Sequence, residues 1–204
     1  RPFLWHNYNS VNQVDKFFVD LRYTSYLDIS ELKEIRDDEK TNMFNNLDTL
    51  RKRNIREARK KGAYTEIGKE ISVFIEFYKK LMILQQEEIP QKQLDNMENL
   101  VKNLVDNEKA IMVLTKDLCG KILYTIIFCF DAKRAYYLFG AGTEGNNERY
   151  KGTIGFWDGF KTLASKYNIK EIDLEGVNSP HRGKFKLGFG GNLIPYYQVY
   201  KKEY

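Results

Sequence analysis

The order of apolar and polar positions is clearest between Ala135 and Gly191. Ala135 to Ala141 (AYYLFGA) is a short aromatic run of strand character, ended by a loop with Gly140, Gly142 and Gly145 beside Asn146 and Asn147. Phe156, Phe160, Leu163 and Tyr167 then recur at helical spacing, with Ile154, Trp157 and Ala164 widening the stripe, which predicts a helix opening near Lys151. From Glu171 to Val177 the pattern alternates, Ile172 and Leu174 against Glu171, Asp173 and Glu175, as in a half-buried strand. Strand, glycine loop, amphipathic helix and strand make a βαβ unit, with parallel strands and a right-handed crossover expected.

The same reading extends over the rest of the chain. Residues 1 to 15 give no periodic signal and are expected to wrap the surface or reach towards sequence outside the chain. Phe17 to Leu27 reads as the first strand, with Asp28 or Ser30 capping the next helix. Leu32, Ile35, Phe44, Leu47 and Leu50 are loosely helical, and the gap from Asp37 to Thr41 suggests two helices. Tyr64 to Ile67 predicts a short strand. Helices are predicted over Glu70 to Gln86 (Ile71, Phe74, Tyr78, Leu81) and after Pro90 (Leu94, Met97, Val101, Leu104), with aromatic and methionine stripes that read as packing. Ala110 to Lys116 and Lys121 to Phe130 form a hairpin-like pair, and the second is apolar on both alternating sets, as a central strand covered on both faces would be. Leu193 to Tyr200 predicts a last strand beside the βαβ pair, with Pro195 marking an edge or bulge.

Composition narrows the class. With 204 residues, 14% aromatic and 30% charged, the chain suits one large folded domain or a small two-domain protein, not a disordered segment, and a single domain over 1–204 is expected. A net charge of +5 favours anionic partners such as phosphates without demanding nucleic acid, and no DNA partner is expected. Cys119 and Cys129 make no disulfide framework, which points to a reducing, cytoplasmic compartment. The most apolar window, Ala110 to Phe130, is interrupted by Lys116, Asp117, Gly120 and Lys121, so no membrane span is predicted. No signal-peptide pattern opens the chain, and because it starts at Arg1 it reads as a piece of a longer protein.

Two stretches bear on chemistry. Arg149, Lys151, Gly152, Thr153 and Gly155 stand where a helix N-terminus offers free N–H groups and a positive dipole end, a setting suited to a pyrophosphate, although neither a Walker loop nor GxGxxG is present. The run RKRNIREARKKG (residues 51–62) carries seven basic side chains. It reads either as a phosphate-binding face or as a solvated helix that buries Ile55 and Ala58 and stops at Gly62.

RYKGTIG resembles the R/Q-x-x-G-x-G/A pyrophosphate loop of the GNAT N-acyltransferase superfamily. EGVN…KFKLGF is similar to that superfamily's strand and YxKLGF ending, and FKLGFGGNLIPYYQV is similar to the FK-x-x-FGG-x-x-x-x-Y segment of its FemAB-like branch. The likeness is firm over residues 110 to 200. Ile154 stands where the loop pattern has glycine or alanine, and Lys184 stands where many GNAT enzymes have tyrosine. The resemblance implies an α/β fold of GNAT type: a mixed, mostly antiparallel sheet with one parallel pair near its middle, flanked by helices. It implies transfer of an acyl group from acetyl-CoA or another acyl-CoA to an amine, by direct attack, on an amino sugar, amino acid or cell-envelope precursor. An aminoacyl-tRNA donor, and a catalytically silent binding half, are the alternatives. FemAB-like proteins contain two GNAT-like halves, so a second half would carry part of the acceptor site.

Such transfer needs a base, a stabilised oxyanion and a proton for the leaving group. Phe139, Gly140 and Gly142 are the candidate segment for backbone stabilisation of the carbonyl. Glu175, at the exit of its strand, is preferred over Asp173 as general base, while His181 in the following loop reads as incidental. The FK pair of the family matches Phe185 and Lys186, which makes Lys186 the expected stabiliser of developing charge. Lys184 is the candidate proton donor. No metal site is expected.

Overall fold

The computed structural model describes residues 17–34, 37–145 and 148–201. The expectations for residues 1–15, for Ile35 and for the Asn146–Asn147 part of the loop lie outside that set. Seven strands among the described residues form one sheet: β1 (Phe18–Asp28), β2 (Tyr64–Gly68), β3 (Ala110–Lys116), β4 (Ile122–Phe130), β5 (Ala135–Gly142), β6 (Glu171–Asp173) and β7 (Asn192–Tyr200). Their spatial order is β2-β3-β4-β5-β6-β1-β7, and every pairing is antiparallel except β5 with β6. This is the mixed, mostly antiparallel α/β sheet with a central parallel pair that the sequence predicts.

The helices are α1 (Asn42–Asn46), α2 (Thr49–Lys60), α3 (Ile71–Leu84), α4 (Gln91–Asp106), α5 (Lys151–Tyr167) and α6 (Pro180–Leu187). α2 and α5 cover one face of the sheet and α3 and α4 the other. In β4, Leu123, Ile126 and Phe128 enter the first layer, and Ile122, Ile127 and Cys129 enter the second, which explains why both alternating sets are apolar. The first layer is rich in aromatic rings. Phe156 of α5 stacks on Phe189 with centroids 5.4 Å apart and meets Phe128 edge-on at 5.5 Å, so the C-terminal segment is held to α5 by ring packing. No helix is long and apolar enough to cross a membrane among the described residues.

Three boundaries differ from the sequence reading. The segment after β1 forms two single 3-10 turns, Ser30–Lys33 and Asp38–Lys40, before α1 and α2 begin, and Asp28 accepts the Ser30 N–H at 2.8 Å. β7 pairs with β1, over Phe18 to Tyr26, while the end of β1, Tyr26 to Asp28, pairs with β6 on its other edge, so β1 lies between β7 and the βαβ pair. Pro195 sits on this open edge, where its missing N–H breaks no ladder.

The third difference shapes the crevice. β6 ends at Asp173 instead of running to Val177, and only Ala135↔Ile172 and Tyr136↔Asp173 join it to β5. Beyond that point the backbone follows β1: the N–H of Leu174 donates to the Ser25 carbonyl at 2.9 Å and that of Val177 to the Tyr23 carbonyl at 3.0 Å. β5 continues to Gly142 against β4. The two parallel strands therefore part after two residue pairs, and a wedge opens at their C-terminal ends.

Candidate active site

α6 lies across this wedge. Its Lys186 side chain is 8% exposed, and its ammonium stands 4.9 Å from the centroid of Tyr137, one residue beyond the last paired residue of β5. The same ammonium donates to the carbonyl of Gly176, on the backbone that has left with β1, at 3.1 Å. Lys186 thus bridges the strands where they separate. It forms no salt bridge among the described residues. Burial pulls its pKa down to about 8, helped by the positive charge of Arg182 and opposed by Glu175 and Asp173.

Glu175 stands beside it. The backbone there is left-handed, φ 60°, an uncommon conformation for a residue with a side chain, and the Glu175 N–H donates to the Asp173 carboxylate at 2.8 Å. That turn takes Glu175 out of the strand alternation the sequence suggested. Burial raises the Glu175 pKa, the Asp173 charge adds to the effect, and Lys186 opposes it. Asp173 is not a solvated strand carboxylate: it is 8% exposed and also accepts the Thr24 hydroxyl, which commits it to holding β1, β6 and the Glu175 turn together.

Tyr137 and Tyr124 complete the wall. Their hydroxyls share a hydrogen bond, and burial pushes Tyr124 up to about 12 and Tyr137 well above the ordinary phenol value, so both remain protonated at neutral pH. A Cβ on Gly140 would lie 2.7 Å from the Tyr137 hydroxyl, and one on Gly142 would lie 2.3 Å from the Tyr124 ring. These glycines make room for the two phenols. The segment Phe139–Gly142 stays paired with β4, and the disruption falls earlier, at Leu138, where β5 carries one extra residue between Tyr137 and Phe139. Phe139 packs against Phe74 and Tyr78 of α3, at 5.7 and 6.0 Å between centroids.

The first turn of α5 is built differently. Thr153 is fully buried, and its hydroxyl accepts from Arg51 Nη1 at 3.0 Å and Asn54 Nδ2 at 3.2 Å. Gly155 faces the sheet, where a Cβ would lie 2.6 Å from Thr115 Oγ1 and 2.8 Å from Ile126, and Ile154 is in the core. Lys151 spends its ammonium on Thr143, donating to the carbonyl at 2.6 Å and the hydroxyl at 2.8 Å. Gly152 turns inward, towards Tyr124 and Phe185. Of the predicted phosphate loop only Arg149 is exposed, with its carbonyl held by Asn54 at 3.3 Å. The glycine pattern here lets α5 approach the sheet and the tyrosine pair.

Lys184 stands apart from Lys186. Two residues apart on a helix means nearly opposite faces, and Lys184 is exposed beside Asp48, Pro180 and Leu187. His181 is exposed near the start of α6. The basic run is α2, which buries Ile55 and Ala58 as expected. It also buries Arg51, whose guanidinium lies 4.3 Å from the Phe185 centroid and so ties α2 to the residue preceding Lys186. Tyr124, Tyr137 and Arg51 were not singled out by sequence: aromatic residues in strands read as core, and one inward arginine has no signature within a charge run.

No protein-family model and no curated protein sequence matches the chain. Solved structures do. The chain superposes on FemX with TM-score 0.68 and 14% identity, covering 84% of this chain and 59% of that one. It superposes on L-PGS from Bacillus licheniformis with TM-score 0.59 and 9% identity, covering 100% of this chain and 66% of that one. A C-terminal domain (DUF2156) assigned to a lysylphosphatidylglycerol synthetase from Agrobacterium fabrum gives TM-score 0.59 and 10% identity over 90% of this chain and 60% of that one. The chain spans less than two thirds of each of these structures. The chain shares with these structures its GNAT-like fold, at identities that speak for the fold alone.

Proposed function

We propose that the chain is an acyltransferase domain that moves an acyl or aminoacyl group onto an amine by direct attack. The observation that carries this reading is the buried ammonium of Lys186 at the point where β5 and β6 part, the place where open α/β sheets take their ligands. The donor carbonyl lies in the wedge, and the amine nitrogen attacks its carbon. The oxyanion that forms is stabilised by the Lys186 ammonium and by backbone N–H groups of β5 beyond Tyr136, where β6 no longer pairs. Glu175 takes the proton lost by the amine. The tetrahedral centre then collapses: the bond to the thiol or hydroxyl leaving group breaks, and the departing sulfur or oxygen takes up the proton that Glu175 removed from the amine. An acyl-CoA is the first donor to consider, its diphosphate held at the exposed cation of Arg149 and not by the glycine turn behind it, whose polar groups are engaged inside the protein. The acceptor is a small amine or cell-envelope precursor, and the free thiols of Cys119 and Cys129 accord with a cytoplasmic reaction.

A second reading replaces acyl-CoA by an aminoacyl-tRNA. It is supported by the fold shared with a domain whose assigned parent is named for lysylphosphatidylglycerol synthesis, and by the engagement of Thr153 and Lys151 inside the protein, which leaves little of the loop to grip a diphosphate. Incubation of the protein with radiolabelled acetyl-CoA or lysyl-tRNA and a panel of amines tests both. Amide formation from either donor that disappears in Lys186→Met supports the domain reading, and full activity in that variant overturns it.

A further inference from the structure

Lys186 is not the only cation that α6 turns to the wedge. Arg182 is four residues earlier, hence on the same helix face at a spacing of roughly 6 Å between Cβ atoms. Arg182 is exposed, and its Nη2 donates to Gln85 Oε1, at the C-terminal end of α3, at 2.6 Å, so the guanidinium ties α6 to α3. Its positive charge acts to lower the pKa of Tyr124, Tyr137 and Lys186 alike.

The two cations differ in how they are balanced. Lys186 has Glu175 and Asp173 nearby, whereas Arg182 has a neutral amide as its hydrogen-bond partner and joins no salt bridge among the described residues. A guanidinium carries five N–H donors in a planar fork. One is spent on Gln85, which orients the group without neutralising it, and the exposed guanidinium keeps its other donors open to solvent or to a ligand.

We propose that Arg182 is the binding residue for an anionic oxygen group, carboxylate or phosphate, carried by the substrate within a few atoms of the group that reacts at Lys186. This deepens the acyltransferase reading and rests on it for the identity of the reacting group. It narrows the acceptors to amines that also bear an acid: amino acids and peptide ends on one side, phosphorylated amino sugars on the other. Neutral amines lack the group that Arg182 holds.

The experiment has a binding arm and a kinetic arm. With the full chain labelled at its tyrosine rings, inorganic phosphate and malonate are titrated separately while the NMR signals of Tyr124 and Tyr137 are followed. The unaltered protein, Arg182→Gln and Lys166→Gln, a remote change near the end of α5, are compared. At least one anion is expected to shift both ring signals, at least tenfold more weakly in Arg182→Gln and within twofold of the unaltered protein in Lys166→Gln. Phosphate alone assigns a phosphate, malonate alone a carboxylate. No response in the unaltered protein, or an equal response in Arg182→Gln, overturns the proposal. In turnover assays Arg182→Gln is expected to raise KM for acidic acceptors at least tenfold with kcat held, and to leave neutral ones unchanged. A binding response without turnover of any donor leaves Arg182 in place and removes the transferase reading; turnover with an unchanged KM for acidic acceptors does the reverse.

Discussion

The first turn of α5 and the whole of α6 are close in composition. One reads RYKGTIGF and the other, with the two residues that follow it, HRGKFKLGF; each has basic residues and two glycines, and Phe156 of the first meets Phe185 and Phe189 of the second in one aromatic cluster. In α5 the polar atoms have been spent internally. Lys151 is bonded to Thr143, Thr153 to Arg51 and Asn54, and Gly155 is closed against the sheet. In α6 the ammonium of Lys186 is buried with one carbonyl as its hydrogen-bond partner among the described residues, so much of what it lost from water is not returned. A motif of glycines and cations therefore does not by itself mark a site. A buried cation short of partners, at a strand divergence, is the stronger sign.

Lys186→Met tests that contrast hardest. Removing one charge that stabilises an oxyanion is expected to lower kcat by about 10²–10³-fold. The folded protein should nevertheless become more stable at neutral pH, by about 1 kcal/mol or more, because a buried charge is replaced by an apolar chain of similar length. The pH dependence has a definite sign. Below pH 8 the lysine is protonated in both folded and unfolded states, and its burial costs about 3 kcal/mol, the size of a fall from 10.5 to about 8. Between pH 8 and 10.5 the unfolded chain holds the proton that the folded one has released, so stability rises with pH over that window, and the rise is absent in the methionine variant. Transfer that uses the ammonium falls as pH passes 8, and Lys186→Arg moves that limb upward. Urea midpoints and kcat/KM measured across this range check both. A variant that loses stability in parallel with activity would make Lys186 a packing residue like those of α5.

On the α5 side the expected losses are in stability. Gly155→Val forces a side chain against Thr115 and Ile126, at a cost of about 1–3 kcal/mol from overpacking, read as a lower urea midpoint. Thr153→Val keeps the shape but removes the oxygen that Arg51 and Asn54 share. Two buried donors lose an acceptor, which costs about 1–3 kcal/mol. If Thr153→Val instead left the midpoint unchanged and weakened donor binding tenfold, the first turn of α5 would be a ligand loop after all, and the contrast with α6 would reverse.

The sheet was readable because its strands are short β-rich or apolar runs bounded by turn residues, and the single parallel pair because a helix separated its members. β6 was misjudged at its far end for a physical reason. Leu174 keeps the apolar period, but the backbone at that point bonds to β1 and turns at Glu175, and period-2 patterning does not say which neighbour a strand keeps. Lys186 was legible only through the FK resemblance. Its burial, the phenol pair and Arg182 depend on how α6 crosses the wedge, a tertiary placement that no local spacing records.

The smallest expected effect is the sharpest test of that placement. Lys184 and Lys186 share a helix, a charge and a tract of five residues that also holds Phe185. Lys184 is exposed, and its removal takes away no buried partner, so Lys184→Ala should change stability by less than about 0.5 kcal/mol. Its ammonium lies on the far face of α6 from the wedge, and a charge in water beyond a helix is screened from the reacting atoms. The rate should therefore stay within about twofold of the unaltered protein, a change of roughly 0.4 kcal/mol. The sequence alone would have ranked it otherwise, since Lys184 stands at the position of the proton-donating tyrosine of the resembled family. A hundredfold loss of kcat in Lys184→Ala, with stability intact, would mean that α6 rotates by about half a turn when substrate binds. The cation that faces the strands in the resting chain would then not be the one that acts.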